Sequence, residues 1–141
     1  MPVAVTLHGS AAARDGAGVL LLGAPGAGKS DLLLRLLDRG FALVADDQVL
    51  VEDGVARAPS ALDGLIEVRG LGIMRVTATP ARLVLAVEIG QGERLPLPRR
   101  YADLDLPLIS VDAGRASAPL VVARALDCLA GRICLVAGAF V

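Results

Sequence analysis

Residues Val19–Ser30 have the sequence VLLLGAPGAGKS, and the rest of the predicted fold is arranged around them. Four apolar residues predict a short buried strand, and the next eight fit the phosphate-loop pattern Gly-x-x-x-x-Gly-Lys-Ser/Thr. Glycines in that pattern let successive backbone N–H groups point at phosphate oxygens, and the N-terminus of the following helix adds partial positive charge. The stretch therefore predicts a nucleotide-binding loop. Its residues are Gly23, Ala24, Pro25, Gly26, Ala27, Gly28, Lys29 and Ser30.

Lys29 is the only lysine in the chain, whereas every other basic residue is an arginine. Lysine supplies a compact, flexible point charge that the planar arginine fork does not. In a phosphate loop the lysine reaches the β- and γ-phosphates, and the hydroxyl that follows it, here Ser30, ligates Mg²⁺. The alternative is a glycine-rich turn without a ligand.

Length, composition and charge limit the classes of protein to which this chain could belong. At 141 residues, the chain fits one domain, 1–141, built around a single core. Although 55% of the residues are hydrophobic, no apolar run approaches the eighteen or so residues of a membrane span, and the N-terminus lacks the features of a secretory signal. We therefore expect a cytoplasmic protein with no membrane partner. A net charge of −1 argues against nucleic-acid binding. Cys128 and Cys134 have no histidine near them and are expected to be buried thiols.

The hydrophobic pattern predicts a mixed α/β sheet with few helices and much antiparallel pairing. Helices are expected at Lys29–Arg39, ended by Gly40, and at Ala118–Ala130. The polar, proline-containing stretch Gly90–Pro98 is expected to be a mobile loop. Strands are predicted at Val3–Leu7, Val19–Leu22, Phe41–Ala45, Ala81–Ile89 and Leu106–Val111, with a hairpin of Gln48–Glu52 and Val55–Ala58 and an apolar stretch, Leu65–Val76, interrupted by glycines.

Asp46 and Asp47 end the predicted strand Phe41–Ala45, which follows the first helix and is expected to return beside the phosphate loop. An acid there can hold Mg²⁺, directly or through water, or accept the proton of an attacking hydroxyl. Two adjacent acids repel each other without a cation, which favours function over an acidic turn. Because neighbours in an extended segment point to opposite faces, we expect the two acids to do different jobs.

Three further groups have both a functional and a structural interpretation. His8 is the only histidine, and a lone histidine is more often structural. In Glu67–Gly72, the charged side chains of Glu67 and Arg69 share one face of an extended segment, so the segment is either a site or a twisted edge strand. Arg94 lies in the predicted loop, where a solvated charge is the default interpretation.

Taken in order, these motifs resemble the catalytic domain of the HPr kinase/phosphorylase family. The Asp-Asp and Glu-Val-Arg-Gly-Leu-Gly motifs are more specific than the phosphate loop, which many families share. The resemblance implies a fold similar to the phosphoenolpyruvate carboxykinases, with a phosphate loop in a mixed sheet. It extends from His8 to about Ala118 and rests on His8-Gly9, Gly23–Ser30, Arg39-Gly40, Leu43–Asp47, Glu67–Ile73 and Glu93–Leu95.

The resemblance implies that ATP, with Mg²⁺, phosphorylates a serine of HPr, the small phosphocarrier of the phosphotransferase system. Bifunctional members also remove this phosphate with inorganic phosphate, which yields pyrophosphate. Full-length members have a further N-terminal domain, so the chain is expected to be a short form. The implied catalytic residues are Asp47, His8, Lys29 and Arg94. The implied Mg²⁺ ligands are Ser30 and Glu67, and Asp46 is a further metal candidate from its place at the strand end.

The sequence also departs from the family pattern. The loop carries Ala24-Pro25 where the family commonly has a small polar residue followed by serine, and Val111–Ser117 matches poorly the segment tied to dephosphorylation. Retention of the reverse activity and assembly into a homo-oligomer are therefore left open. Two other functions stay open as well: a small-molecule P-loop kinase, which would usually carry a helical lid, and a non-catalytic nucleotide-dependent regulator.

Overall fold

The structure is a computed structural model that describes residues 4–141. In this part of the chain, eleven strands alternate with two α-helices and one short 3₁₀ turn. The helices are α1 (Lys29–Asp38) and α2 (Ala118–Leu129), and the turn is Ser60–Leu62. The strands are β1 (Val5–His8), β2 (Ser10–Arg14), β3 (Ala17–Leu22), β4 (Ala42–Ala45), β5 (Gln48–Glu52), β6 (Val55–Arg57), β7 (Leu65–Val68), β8 (Gly72–Arg75), β9 (Ala81–Ile89), β10 (Arg99–Tyr101) and β11 (Leu106–Val111).

Nine of these strands form one mixed sheet in the order β1-β5-β6-β9-β3-β2-β4, to which β11 and β10 are added through β9. Strand β9 is parallel to β3 and β11 and antiparallel to β6. Leu21 of β3 and Ile109 of β11 both lie opposite Val87 of β9. The long strand β9 is therefore the centre of the sheet, and β7 and β8 form a separate hairpin.

Four strands end at the same edge of the sheet. Strands β3 and β4 are both antiparallel to β2, so they run in the same direction, and β9 and β11 run parallel to β3. The segments that follow them are the phosphate loop, the Asp46-Asp47 pair, the Gly90–Pro98 loop and the turn after Val111. In open α/β sheets, ligands bind outside the carboxyl ends of such strands.

Two hydrophobic cores lie on opposite faces of the sheet. On one face both helices pack against β3, β9 and β11, with Leu32, Leu36 and Val122 fully buried. On the other face Leu20 and Val49 are fully buried in a second cluster. Strands β2 and β4 contact β5 and β6 across that cluster, although the strand order separates them, so the sheet curls on itself. Neither helix in residues 4–141 is long and apolar enough to cross a membrane.

A cluster of arginines around Asp127 fixes the end of α2 to the sheet. Arg14 at the end of β2 donates a hydrogen bond of 2.6 Å to Asp127, and Arg124 donates another of 3.0 Å. Arg132 lies 3.5 Å from the same carboxylate, whose side chain is only 13% exposed. The hydrogen bond from Arg14, assisted by the charges of Arg14 and Arg124, lowers the pKa of Asp127, although burial acts in the opposite direction.

Most predicted elements are confirmed, including the hairpin at Asp53-Gly54, strands β9 and β11, and both helices to within one residue. Gly40 follows α1 with φ of 92°, as expected after a helix end. The first predicted strand is shifted: β1 begins at Val5, and Val3 lies outside the described residues. The apolar stretch Leu65–Val76 contains two strands rather than one interrupted segment.

Two strands were not predicted from the sequence, and one expectation was wrong. Strand β2 was not predicted because alanine has low strand propensity; its alanines nevertheless fit closely between β3 and β4. Strand β10 (Arg99–Tyr101) was not predicted either, because its residues are polar and directly follow a proline. The expectation of buried thiols was wrong: Cys134 is exposed, in a segment after α2 that has no buried residue, and Cys128, near the end of α2, is only partly buried.

Candidate active site

The phosphate loop has the backbone that its glycines require. Gly28 caps α1 with φ of 109°, and a Cβ there would lie 3.0 Å from the Cβ of Ala113. Gly26 has φ of 81°, and the Ala27 amide donates to the carbonyl of Ala24 at 3.0 Å. Side chains at Gly26 or Gly28 would be strained, because both sites need the left-handed region that glycine alone adopts freely. The loop therefore turns directly into the N-terminus of α1.

Lys29 is buried and lies against its own loop. Its ammonium donates hydrogen bonds to the carbonyls of Gly23 at 2.6 Å and Ala24 at 3.2 Å. A buried ammonium needs such partners, because burial of an unpaired charge is very costly. The only lysine of the chain is thus held at the start of the loop, on the side of the strand ends.

A cavity of about 550 Å³ lies beside this loop. Its wall is formed by the loop and the N-terminal part of α1, by the end of β1 and the start of β2, by the turn after β4, and by the end of β7. Within the described chain, it brings together the predicted loop residues Pro25, Gly26 and Gly28 and five predicted residues with functional side chains. These five are His8, Lys29, Ser30, Asp47 and Glu67. We call this space the phosphate cavity.

Asp46 lies beneath the phosphate cavity and is only 7% exposed. One oxygen, Oδ1, accepts hydrogen bonds from the hydroxyls of Ser10 at 2.8 Å and Ser30 at 3.2 Å. The other, Oδ2, accepts from the backbone N–H of Glu67 at 3.4 Å. The carboxylate therefore connects the first turn of α1 to β7 and to the start of β2.

Asp47 occupies a strained turn at the rim of the cavity. Its φ is 72°, and the amide of Gln48 donates to the carbonyl of Asp46 at 2.9 Å, which makes Asp47 the centre of a γ-turn. The side chain of Asp47 is 68% exposed, and one of its oxygens lies 3.8 Å from Nδ1 of His8. Non-glycine residues with such backbone angles cluster at functional sites. The two neighbouring acids thus have different environments, one buried and one open to the cavity.

The oxygen groups at the cavity floor fit a hard divalent cation. Ser30 and Glu67 line the cavity, and Asp46 contacts the Ser30 hydroxyl from below. Across residues 4–141, no three His, Cys, Asp or Glu side chains are grouped so that they form a metal cage on their own. Mg²⁺ suits this arrangement, because it is usually held by one or two carboxylates together with substrate phosphates.

Arg94 is not in the phosphate cavity. It lines a second cavity of about 710 Å³, together with Arg115, Ser110 and the first turn of α2. The close approach of Gly28 to Ala113 connects the phosphate loop with the segment that borders this second cavity. The structure therefore leaves Arg94 apart from the other predicted catalytic residues.

Ser10 was not among the predicted site residues, and Arg69 was predicted only as part of the segment Glu67–Gly72. Ser10 is 1% exposed, lines the phosphate cavity and contacts both acids. The available signal was a single polar residue at the start of an alanine run. Arg69 also lines the cavity, as does Glu67 two residues before it, which agrees with the shared face expected from their spacing.

Comparison with known proteins identifies the family of the chain. Residues 1–80 match the sequence model of the HPr Serine kinase C-terminal domain. The chain is 42% identical over 142 residues to HPr kinase/phosphorylase of Cupriavidus metallidurans, covering 84% of this chain and 44% of that protein. It is 42% identical over 141 residues to HPr kinase/phosphorylase of Burkholderia cenocepacia, with the same coverage of each chain. The chain thus spans less than half the length of the curated relatives it matches.

A solved structure is also similar to this chain. It is the HPr(Ser) kinase/phosphatase from Coxiella burnetii, with a TM-score of 0.73 and 26% sequence identity, covering 91% of this chain and 97% of that one. The match confirms the predicted fold class, a mixed α/β fold around a phosphate loop. Because the family model covers more than half of the residues, the chain belongs to the HPr Serine kinase C-terminal domain family.

Proposed function

We propose that this chain transfers the γ-phosphoryl group of ATP, with Mg²⁺, to a serine of an HPr-type carrier protein. The observation that carries the proposal is the convergence of His8, Lys29, Ser30, Asp47 and Glu67 on one cavity at the strand ends. The names of the relatives support the same acceptor. Phosphoryl transfer needs charge stabilisation and in-line positioning more than covalent chemistry, and this cavity offers both.

The loop side of the cavity binds the phosphates of ATP. Its backbone amides and the N-terminus of α1 present partial positive charge. Lys29 exchanges the carbonyls of Gly23 and Ala24 for phosphate oxygens, which are stronger partners because they are charged. When bound, Mg²⁺ neutralises part of the phosphate charge; the Ser30 hydroxyl and the Glu67 carboxylate are its protein ligands, and Asp46 orients Ser30.

The rim of the cavity receives the acceptor serine. The serine oxygen forms a bond to the γ-phosphorus, the bond to the bridging oxygen of ADP breaks, and the serine proton passes to the carboxylate of Asp47. Exposure of Asp47 makes it accessible to a protein-borne hydroxyl, and the turn at φ of 72° fixes its direction. His8 lies 3.8 Å from this carboxylate. Such a base contributes about 10²–10⁴-fold to rate.

Arg94 enters the site by movement of the Gly90–Pro98 loop. This loop forms no helix or strand, and Glu93, Arg94 and Leu95 are exposed. Loops that close over a reaction complete the charge stabilisation and exclude water. We therefore assign Arg94 to the phosphates in the closed state, across the ridge formed by Gly28 and Ala113.

A competition assay tests the proposal. The protein is incubated with ATP·Mg²⁺, an HPr-type carrier and a mixture of small-molecule hydroxyl acceptors, and all products are followed together. The expected result is transfer to a serine of the carrier alone. Transfer only to a small molecule would indicate a small-molecule kinase, and nucleotide binding without any transfer would indicate a regulator. Addition of inorganic phosphate to the phosphorylated carrier tests the reverse reaction, whose product is pyrophosphate.

A further inference from the structure

We propose that Ser10 is a positioning residue, whose buried hydroxyl orients the carboxylate of Asp46 toward Ser30 and supports the turn that carries Asp47. This inference rests on the proposed kinase function, because it concerns how the phosphate cavity is arranged for metal and substrate. It does not follow from the loop pattern: Ser10 belongs to β2, which precedes the phosphate loop in the chain.

Both hydrogen-bond contacts of the Ser10 hydroxyl are made within the site. Its hydroxyl has one proton, and an ionised carboxylate can only accept, so the 2.8 Å contact is a donation from Ser10 to Oδ1 of Asp46. At 1% exposure Ser10 has no access to bulk solvent. A hydrogen bond to a charged group in such a place contributes more than one between neutral groups.

Asp46 depends on these neutral donors. Among residues 4–141, no basic side chain forms an ion pair with its carboxylate. Its partners are instead the hydroxyls of Ser10 and Ser30 and the backbone amide of Glu67. Ser10 makes the shortest of the three contacts. It is also the only one of the three whose residue is not a candidate metal ligand, so it is free to orient the carboxylate.

Ser10 also contacts the neighbouring turn. The amide of Asp47 lies 3.5 Å from the Ser10 hydroxyl oxygen, at the outer limit of a hydrogen bond. One residue earlier, the Gly9 amide donates to the carbonyl of Asp47 at 3.1 Å. Both peptide groups of Asp47 are therefore bonded to the start of β2. Strained backbone persists only where its surroundings hold it, and these two residues hold the turn at φ of 72°.

The chemical consequence concerns the Ser30 hydroxyl. To present an oxygen lone pair to a cation, this hydroxyl must direct its proton elsewhere, and Oδ1 of Asp46 lies 3.2 Å away. Ser10 donates to the same oxygen at 2.8 Å and thereby helps to fix its position. Loss of such an outer partner typically costs about 10–100-fold in metal affinity or activity.

The test compares Ser10→Ala, Ser10→Cys and Ser10→Thr by calorimetric titration of ATP at a series of Mg²⁺ concentrations, and by phosphoryl transfer to the carrier. Ser10→Ala is expected to raise the Mg²⁺ concentration for half-maximal ATP binding by about 10-fold or more. Ser10→Cys keeps the shape of the side chain with a slightly larger terminal atom, but it is a weak donor, so a similar increase is expected. Ser10→Thr keeps the hydroxyl and is expected to stay near the wild-type value.

Val122→Ala is the matched control for a merely structural effect. It removes buried volume from α2, away from the acids, and is expected to lower Tm without a change in Mg²⁺ requirement. A wild-type Mg²⁺ requirement in either Ser10→Ala or Ser10→Cys would overturn the inference. If Ser10→Ala does not fold, Ser10→Cys provides the test. Failure of the wild-type protein to phosphorylate the carrier would instead reject the proposed function, and the binding titration would still test Ser10.

Discussion

The phosphate cavity and the second cavity lie at the same edge of the sheet, but they are assembled differently. The first is formed by residues at strand ends and on α1, and hydrogen bonds within it connect Ser10, Ser30 and Asp46. The second is bordered by the Gly90–Pro98 loop, from which Arg94 projects, and by the first turn of α2. The phosphate cavity is thus held together by hydrogen bonds between its side chains, whereas our proposal requires movement of the Gly90–Pro98 loop to bring Arg94 to the phosphates.

The largest effect is expected from Lys29→Ala, which tests the phosphate cavity. No other lysine can replace its charge, so we expect turnover to fall by at least about 10³-fold and ATP binding to weaken. Calorimetry and transfer assays measure both quantities. Arg57→Ala, which removes a charge from the β5–β6 hairpin, is the control and should leave both unchanged. Normal affinity and transfer in Lys29→Ala would show that the loop is not a phosphate site.

Asp47→Asn and Asp46→Asn distinguish the roles of the two acids at the phosphate cavity. In Asp47→Asn we expect transfer to fall by about 10²–10⁴-fold while ATP·Mg²⁺ binding stays nearly intact, because an amide cannot accept the serine proton. Asp46→Asn should instead weaken Mg²⁺-dependent binding or lower stability, because Asp46 is buried against Ser30 and Glu67. Single-turnover transfer at saturating nucleotide distinguishes the two. The reverse pattern would exchange the roles that we assign to them.

Arg94→Ala tests the contribution that we propose for the Gly90–Pro98 loop. We expect kcat to fall by about 10²-fold with little change in ATP affinity, because Arg94 lies outside the phosphate cavity and in our proposal reaches the phosphates only when the loop moves. Arg115→Ala removes the other arginine of the second cavity and is expected to keep the wild-type rate. Equal losses in the two variants would contradict a role confined to the loop.

Glu67→Gln is expected to keep the fold and to raise the Mg²⁺ requirement severalfold, because a neutral amide is a poorer ligand for a hard cation. Glu67 contributes only its backbone N–H to the hydrogen bonds around Asp46, so the substitution leaves that network intact. A Mg²⁺ titration of ATP binding measures the effect. An unchanged titration would leave Glu67 as a structural residue of β7.

The smallest effect concerns stability at the far end of α2. Because arginines lower the pKa of Asp127, its stabilising effect is full above the ordinary value near 3.8 and is lost as the pH falls through the folded-state pKa. Asp127→Asn should therefore lower Tm at pH 7, and the difference from wild type should shrink at pH values below that range. Asp53→Asn, in the hairpin turn, is the control. A difference that stays constant with pH would contradict the ionic explanation.

The sequence predicted the phosphate cavity better than the second cavity, for physical reasons. The phosphate loop and the Asp53-Gly54 hairpin depend on local backbone preferences, which are visible in a few neighbouring residues. Strand β2 and the role of Ser10 depend on pairing with β3 and on contacts with Asp46, which lies 36 positions away in the chain. The position of Arg94 depends on the conformation of a loop that contains no strand or helix, and no local sequence pattern determines that conformation.

The most direct test of the central claim is the intact mass of an HPr-type carrier after incubation with the protein and ATP·Mg²⁺, followed by fragmentation to locate the modified residue. The account predicts the addition of one phosphoryl group to a serine, absent when Lys29→Ala replaces the wild-type protein. An unmodified carrier in the presence of wild-type protein with bound ATP·Mg²⁺ would contradict it.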